Sequence, residues 1–222
     1  MEPVRTLEEI SDGKIYDIED MVRAGTRGCE GCSACCHDVG DLVVLTPFDV
    51  YEMKRGLNLS FDALLEMHLT LREKNKIMLP YLKMEGAQKH CSFLNPEGRC
   101  SIHGYRPNIC RLFPLGRIYE ADHFKYFLQV NSCPKPNLEN VKVKEWIGIE
   151  NYEANKTFIL EWHNFIKALT FRLKCVYDTE ERQKMNDYLM DTFYKMPLEE
   201  EKDFYAVFKG ILPDAKKHLG IL

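Results

Sequence analysis

The 222-residue sequence has no long apolar run and no strong excess of one charge. No stretch reaches the roughly 18–20 apolar residues of a spanning helix, so we expect no membrane insertion. Residues 1–20 are acidic and lack the apolar core of a signal peptide, and we therefore expect a cytoplasmic protein. A formal net charge of −4 does not suggest the basic face of a nucleic-acid binder, so we expect no nucleic acid as partner.

Several familiar catalytic patterns are also missing. The sequence holds no evident Ser/His/Asp arrangement, no glycine-rich phosphate loop and no paired-carboxylate site, and it contains no internal repeat. Catalytic residues are therefore not identified from the sequence, and cysteine is the side chain on which the interpretation depends.

Nine cysteines are present, and eight of them lie between Cys29 and Cys133. In a reducing cytosol, densely spaced cysteines hold metal more often than they form disulfides. The same region contains seven of the ten prolines and most of the glycines, so it needs something besides an apolar core to fix it. We expect a small α+β, metal-stabilised domain over residues 26–137. An N-terminal arm or helix (1–25) precedes it, and a helical C-terminal region (138–222) follows.

The first cysteine block has the spacing of a ferredoxin site. Cys29, Cys32 and Cys35 form C-x2-C-x2-C, which in bacterial ferredoxins supplies three ligands of a 4Fe–4S cluster. A remote Cys-Pro supplies the fourth ligand there, and this chain offers Cys133-Pro134. The spacing therefore favours an iron–sulfur cluster of the 4Fe–4S type.

The remaining four clustered cysteines suggest a second set. Cys36 directly follows Cys35, and because neighbouring side chains diverge, it is a candidate for another metal or for a cluster edge. Cys91, Cys100 and Cys110 would meet if a hairpin were followed by a helical turn. The sequence does not fix how the eight are divided. Zinc in one or two four-cysteine sites is the main alternative, and disulfides or free thiols are another.

Three arginines flank the second block and are predicted to contact the cofactor. Arg99, Arg106 and Arg111 would offset the negative charge of a thiolate cluster or hold an anionic substrate. The alternative is a structural ion pair or a bond to a nearby carbonyl.

Other residues near the motif have lesser predicted roles. His37, His90 and His103 lie beside cysteines and are alternative ligands or hydrogen-bond donors to ligands. Cys175 stands alone in an apolar helical pattern, where a buried, non-ligating cysteine is expected.

Local patterns predict several elements that would position these residues. Thr46-Pro47 predicts a helix with Thr46 as N-cap, and Ser60 predicts a second helix that extends to Lys74. Residues 116–130 are typical of a hairpin. A three-to-four spacing of apolar residues over about 143–176 predicts one long amphipathic helix.

These motifs together resemble the YkgJ-like cysteine-cluster family, which is described as a zinc- or iron-chelating domain. The resemblance covers about residues 26–135 and rests on Cys29-x2-Cys32-x2-Cys35-Cys36, Leu45-Thr46-Pro47, Cys91-Ser92-Phe93-Leu94, Gly98-Arg99-Cys100-Ser101-Ile102, Arg106-Pro107-x2-Cys110-Arg111-x-Phe113-Pro114 and Cys133. One branch, the flagellin lysine N-methylases, is associated with an iron–sulfur cluster and S-adenosylmethionine. The resemblance thus implies a methyltransferase activity, but this chain lacks a glycine-rich methyltransferase signature.

Three functions follow from these observations. The first is an iron–sulfur protein with a redox or electron-transfer role and a protein partner. The second is a cluster-dependent enzyme that modifies a protein substrate, as flagellin lysine N-methylase does. The third is a structural zinc-binding module that presents the helical tail to a partner.

Overall fold

A computed structural model describes residues 6–26, 29, 32–39, 42–196 and 203–221. The α-helices within these ranges are α1 (Leu7–Ile10), α2 (Pro47–Leu57), α3 (Phe61–Met67), α4 (Asn108–Leu112), α5 (Val143–Ile147), α6 (Tyr152–Cys175), α7 (Thr179–Leu189) and α8 (Phe204–His218). Two short 3-10 helices cover Ala34–Cys36 and His103–Tyr105, and a π-helical turn, Met190–Tyr194, continues α7.

The described strands form four separate two-stranded antiparallel ladders. Their bounds are β1 (Met21–Gly25), β2 (Leu69–Lys74), β3 (Ile77–Leu82), β4 (Met84–Glu85), β5 (His90–Cys91), β6 (Leu115–Tyr119), β7 (Phe124–Leu128) and β8 (Glu139–Lys142). The ladders pair β1 with β8, β2 with β3, β4 with β5, and β6 with β7. Small ladders followed by a helical C-terminal region confirm the α+β class.

A continuous hydrophobic core joins the cysteine-containing region to the helical tail. Phe48 of α2 lies with its ring centroid 5.2 Å from those of Phe204 and Tyr205 of α8. The buried Tyr194 hydroxyl donates a hydrogen bond of 2.9 Å to the Leu45 carbonyl. The tail therefore packs on the region that carries the cysteines, while the predicted division of the chain into three regions stays a prediction.

The start of α2 confirms the predicted Thr46 cap. Thr46 Oγ1 accepts a hydrogen bond from the Asp49 amide (3.3 Å), and the Asp49 carboxylate accepts one from the Thr46 amide (2.8 Å). Such a reciprocal box satisfies two amide groups that the first helical turn leaves unpaired. The predicted hairpin is also confirmed, as β6 and β7.

Two predicted helices were too long. The helix capped by Ser60 ends at Met67, because Leu69–Lys74 pairs in register with Ile77–Leu82 as strand β2. The long helix predicted over 143–176 is divided into α5 and α6. Gly148 adopts a left-handed conformation (φ 60°) that ends α5, and Asn151 caps α6. Among the described helices, none has the length and apolar character needed to span a bilayer.

Candidate metal centre

All eight clustered cysteines line one cavity of about 400 Å³. They come from five segments that are distant in sequence, and no described cysteine is in a disulfide. The cysteines on the cavity wall are Cys29, Cys32, Cys35, Cys36, Cys91, Cys100, Cys110 and Cys133. The structure thus brings together every cysteine that the sequence motifs proposed as a ligand.

Contact with the hydrophobic core divides these eight cysteines into two groups. One group, which we call the inner set, is buried in the core or packed against it: Cys36, Cys91, Cys100 and Cys110. The other group, the outer set, is not among the described residues that pack there: Cys29, Cys32, Cys35 and Cys133. Cys91 is 6% exposed, whereas Cys35 is classed as exposed. The two groups therefore differ in their contact with the core, and Cys91 and Cys35 are the most buried and the most exposed of the eight.

Backbone pairing accounts for the first half of the inner set. His37 pairs with His90 in an isolated antiparallel bridge, and the Asp38 amide donates to the Lys89 carbonyl at 3.0 Å. In this register, Cys36 lies across from Cys91. A bridge between Leu94 and Cys100 then returns the chain beside Cys91.

Helix α4 adds Cys110, and several polar groups fix where α4 begins. The Asp49 carboxylate accepts hydrogen bonds from the Asn108 amide (2.7 Å) and from Asn108 Nδ2 (2.9 Å). Arg111 Nε donates to the Arg106 carbonyl (3.1 Å), and its Nη2 donates to the Gly104 carbonyl. These contacts tie the Cys110 helix to α2 and to the turn that follows Cys100.

The outer set lies on irregular backbone. Cys29 has a left-handed conformation (φ 58°), and its carbonyl accepts from the Cys32 amide (3.2 Å). Arg99 Nη1 also donates to the Cys29 carbonyl at 3.0 Å, which connects this loop to the turn before Cys100. Mutual repulsion with the Cys29 and Cys32 thiolates contributes to the raised pKa of Cys133, although burial is the larger cause. Cys133 lines the same cavity as Cys29 and Cys32.

Cys35 and Cys36 have opposite pKa shifts. A hydrogen bond from the Cys36 thiol is the main cause that lowers the pKa of Cys35 to about 6, and the positive charge of Arg106 contributes to this shift. Donation of that hydrogen bond, together with burial, raises the pKa of Cys36 well above that of a free thiol. Of the two adjacent thiols, Cys35 therefore loses its proton more readily.

The deeper thiols are held protonated by their surroundings. Burial raises the pKa of Cys91 to about 11. Burial is also the main cause of the raised pKa values of Cys100 and Cys110, and repulsion from the Cys91 thiolate adds to that of Cys110. Metal binding at these residues must therefore release protons, and the cation must stabilise several close thiolates.

Basic side chains share the cavity wall with the thiols. Arg99, Arg106, His103 and Lys135 line it, and no aspartate or glutamate does among the described residues. Arg106 Nη1 donates to the His103 carbonyl at 2.8 Å, and burial together with the nearby arginines lowers the pKa of His103. Arg111 binds backbone carbonyls outside this lining. The predicted cofactor contacts of the three arginines stay predictions.

The donor set fits a soft metal or a cluster. Eight thiols without a carboxylate match the preference of zinc and of iron–sulfur clusters for sulfur ligands. In the described part of the chain, no three Cys, His, Asp or Glu side chains are placed as a closed site for one ion. The eight thiols instead line one shared cavity.

Sequence analysis missed some residues at the site. Asp49 and Asn108, which position α4, were not singled out, although the Thr46-x-x-Asp49 spacing is a capping pattern. Lys135 lines the cavity directly after Cys133-Pro134. The expectation of a buried Cys175 was wrong, because its side chain is exposed at the end of α6.

Comparison with protein families finds one match. Residues 28–134 match the CxxCxxCC family, described as "Putative zinc- or iron-chelating domain". This segment resembles a CxxCxxCC domain. The match includes all eight cavity cysteines and supports the YkgJ-like resemblance, and it supports metal binding by the cysteine cluster. Comparisons with curated proteins and with solved structures find no match for the chain.

Proposed function

We propose that the CxxCxxCC domain carries a 4Fe–4S cluster on its outer set and serves a redox role with a partner protein. The observation that supports this proposal is that the remote Cys133-Pro134 lines the same cavity as Cys29, Cys32 and Cys35 of the C-x2-C-x2-C motif. That combination of a triple-cysteine loop and a distant Cys-Pro is the ligand pattern of bacterial ferredoxins.

The space and charge at the site favour a cluster. Eight sulfurs around about 400 Å³ leave room for inorganic sulfide between the metal ions. A cluster with four cysteine thiolates is anionic, and Arg99, Arg106 and Lys135 place positive charge on the same wall. Such charge stabilises the reduced state and raises the reduction potential.

The surroundings of the cavity suit electron exchange with a protein. Leu42 and Ile109 line the cavity and are 65% and 37% exposed, so apolar surface lies beside the exposed Cys35. An apolar patch next to a shallow redox centre offers a partner a contact surface close to the cluster.

Purification without oxygen, followed by measurement of iron and acid-labile sulfide, tests the proposal. We expect about four of each per chain, brown colour and a reversible reduction. Cys32→Ser should lower sulfide and charge-transfer absorption, whereas Cys175→Ser, which changes an exposed cysteine of α6, should leave both unchanged. Bound zinc without sulfide would overturn the proposal in favour of a structural zinc module.

A further inference from the structure

We propose that the inner set is a second, separate metal centre that holds one divalent cation of the zinc or ferrous type through Cys36, Cys91, Cys100 and Cys110. It lies beside the outer set in the same cavity, and it does not depend on which metal the outer set holds. The family description assigns metal chelation to the domain as a whole and does not divide the cysteines.

The first argument is the backbone that presents the inner set. Cys36 and Cys91 oppose each other through the His37–His90 bridge, and Cys100 returns beside them through its bridge to Leu94. Cys36 and Cys91 therefore lie on segments that pair with each other, and Cys100 follows the tight turn after Leu94. Ligands on fixed backbone suit a structural ion, which requires a defined tetrahedral arrangement.

The second argument is depth. All four inner cysteines are in the hydrophobic core or packed on it, with Cys91 6% exposed. Closed four-thiolate sites without an open position are typical of structural metal, whereas exchange with a partner requires access. The outer set, with an exposed Cys35, has that access. The difference in depth thus matches a division into a structural and a reactive centre.

The third argument is the arrangement of the adjacent pair. Cys35 precedes Cys36 in a 3-10 turn, and of the two only Cys36 packs against the hydrophobic core. Assigning Cys35 to the outer set and Cys36 to the inner set gives each centre four thiolates.

Wild-type protein purified without oxygen provides the main test. Graded treatment with a chelator, followed by iodoacetamide and peptide mass spectrometry, reports which cysteines become free together. We expect Cys29, Cys32, Cys35 and Cys133 to react first as one group. The inner set should stay protected and react later, together with the release of about one metal ion per chain. All eight reacting in a single step, or groups that mix the two sets, would overturn the proposal.

Two variants provide a second readout. Cys32→Ser should retain about one bound metal ion and the alkylation protection of the inner set, and Cys110→Ser should lose that ion. Cys175→Ser is the matched control and should match wild type. Cys32→Ser losing all its metal would contradict two centres. If Cys110→Ser fails to fold, the alkylation pattern of the wild-type protein decides between one metal centre and two.

The outcomes separate this inference from the proposed function. If the cysteines are alkylated in two groups and the protein holds zinc without sulfide, the inner metal centre is supported and the 4Fe–4S cluster is excluded. If sulfide is present but the four inner cysteines are never protected, the cluster proposal stands and the inner metal centre is excluded. Growth with zinc or with iron in excess, followed by elemental analysis, identifies which of the two cations occupies the inner set.

Discussion

Replacing Asp49 tests how the core holds helix α4, which carries Cys110. Its carboxylate is 2% exposed and accepts hydrogen bonds from the Thr46 amide and hydroxyl (both 2.8 Å) and from the Asn108 amide and side chain (2.7 and 2.9 Å). Burial raises the pKa of Asp49, and these four bonds oppose that shift. The residue thereby joins the start of α2 to the start of α4, two residues before Cys110.

The expected cost of Asp49→Ala follows from the groups that lose their acceptor. A buried donor left unpaired costs about 1–3 kcal/mol, and a lost helix cap costs about 1 kcal/mol. Because both Asn108 donors and the Thr46 amide lose their partner, the unfolding free energy should fall by about 3–5 kcal/mol. With a urea m-value of about 2 kcal/mol/M, the midpoint should fall by about 2 M.

Urea unfolding followed by circular dichroism and tryptophan fluorescence measures this change. Asp49→Asn keeps the shape and one acceptor oxygen, so it should cost about 1–3 kcal/mol. Asp62→Ala, at an exposed position in the first turn of α3, is the control and should stay within about 0.5 kcal/mol of wild type. A loss below about 1 kcal/mol for Asp49→Ala would show that this network does not hold α4 in place.

Three further predictions follow from other parts of the fold. Burial lowers the pKa of His163 below its usual 6.5, so the unfolding free energy should fall as pH drops through that range. His163→Phe should flatten this slope in thermal melts, and an unchanged slope would contradict it. Gly56→Ala would place Cβ 2.7 Å from the Tyr105 ring and should destabilise by about 1 kcal/mol in urea. Gly210→Ala, which meets open space in α8, should be neutral or stabilising, and equal effects would refute the steric argument. Removal of metal with a chelator should increase amide exchange over residues 26–137, and unchanged protection there would contradict a folding role for the metal.

Local sequence signals were enough to predict the elements whose boundaries depend only on neighbouring residues. Thr46-Pro47 fixes the start of α2 because a cap and a proline act within one turn. The end of α3 at Met67 was not predictable in the same way, since the following residues gain more from pairing with β3 than from continuing a helix. A partner strand is a tertiary contact that propensity does not contain.

The candidate site shows the same limit. Spacing identified Cys29, Cys32 and Cys35 as one unit, because three ligands within seven residues need no distant contact. The depth of Cys91 and its position across from Cys36 depend on the His37–His90 bridge, which no local pattern indicates. The motifs therefore predicted which cysteines line the cavity, whereas the burial of each one depends on tertiary contacts.

The pairing of β1 with β8 has a consequence for how this domain is built into the chain. Gly25 faces Glu139 in that ladder, and the matched segment 28–134 lies entirely between them. The chain therefore enters and leaves this segment at neighbouring points of one ladder. Because Phe48 within the segment packs on α8, the segment shares its core with the helical tail, and we expect it to lose stability when it is transplanted without that tail.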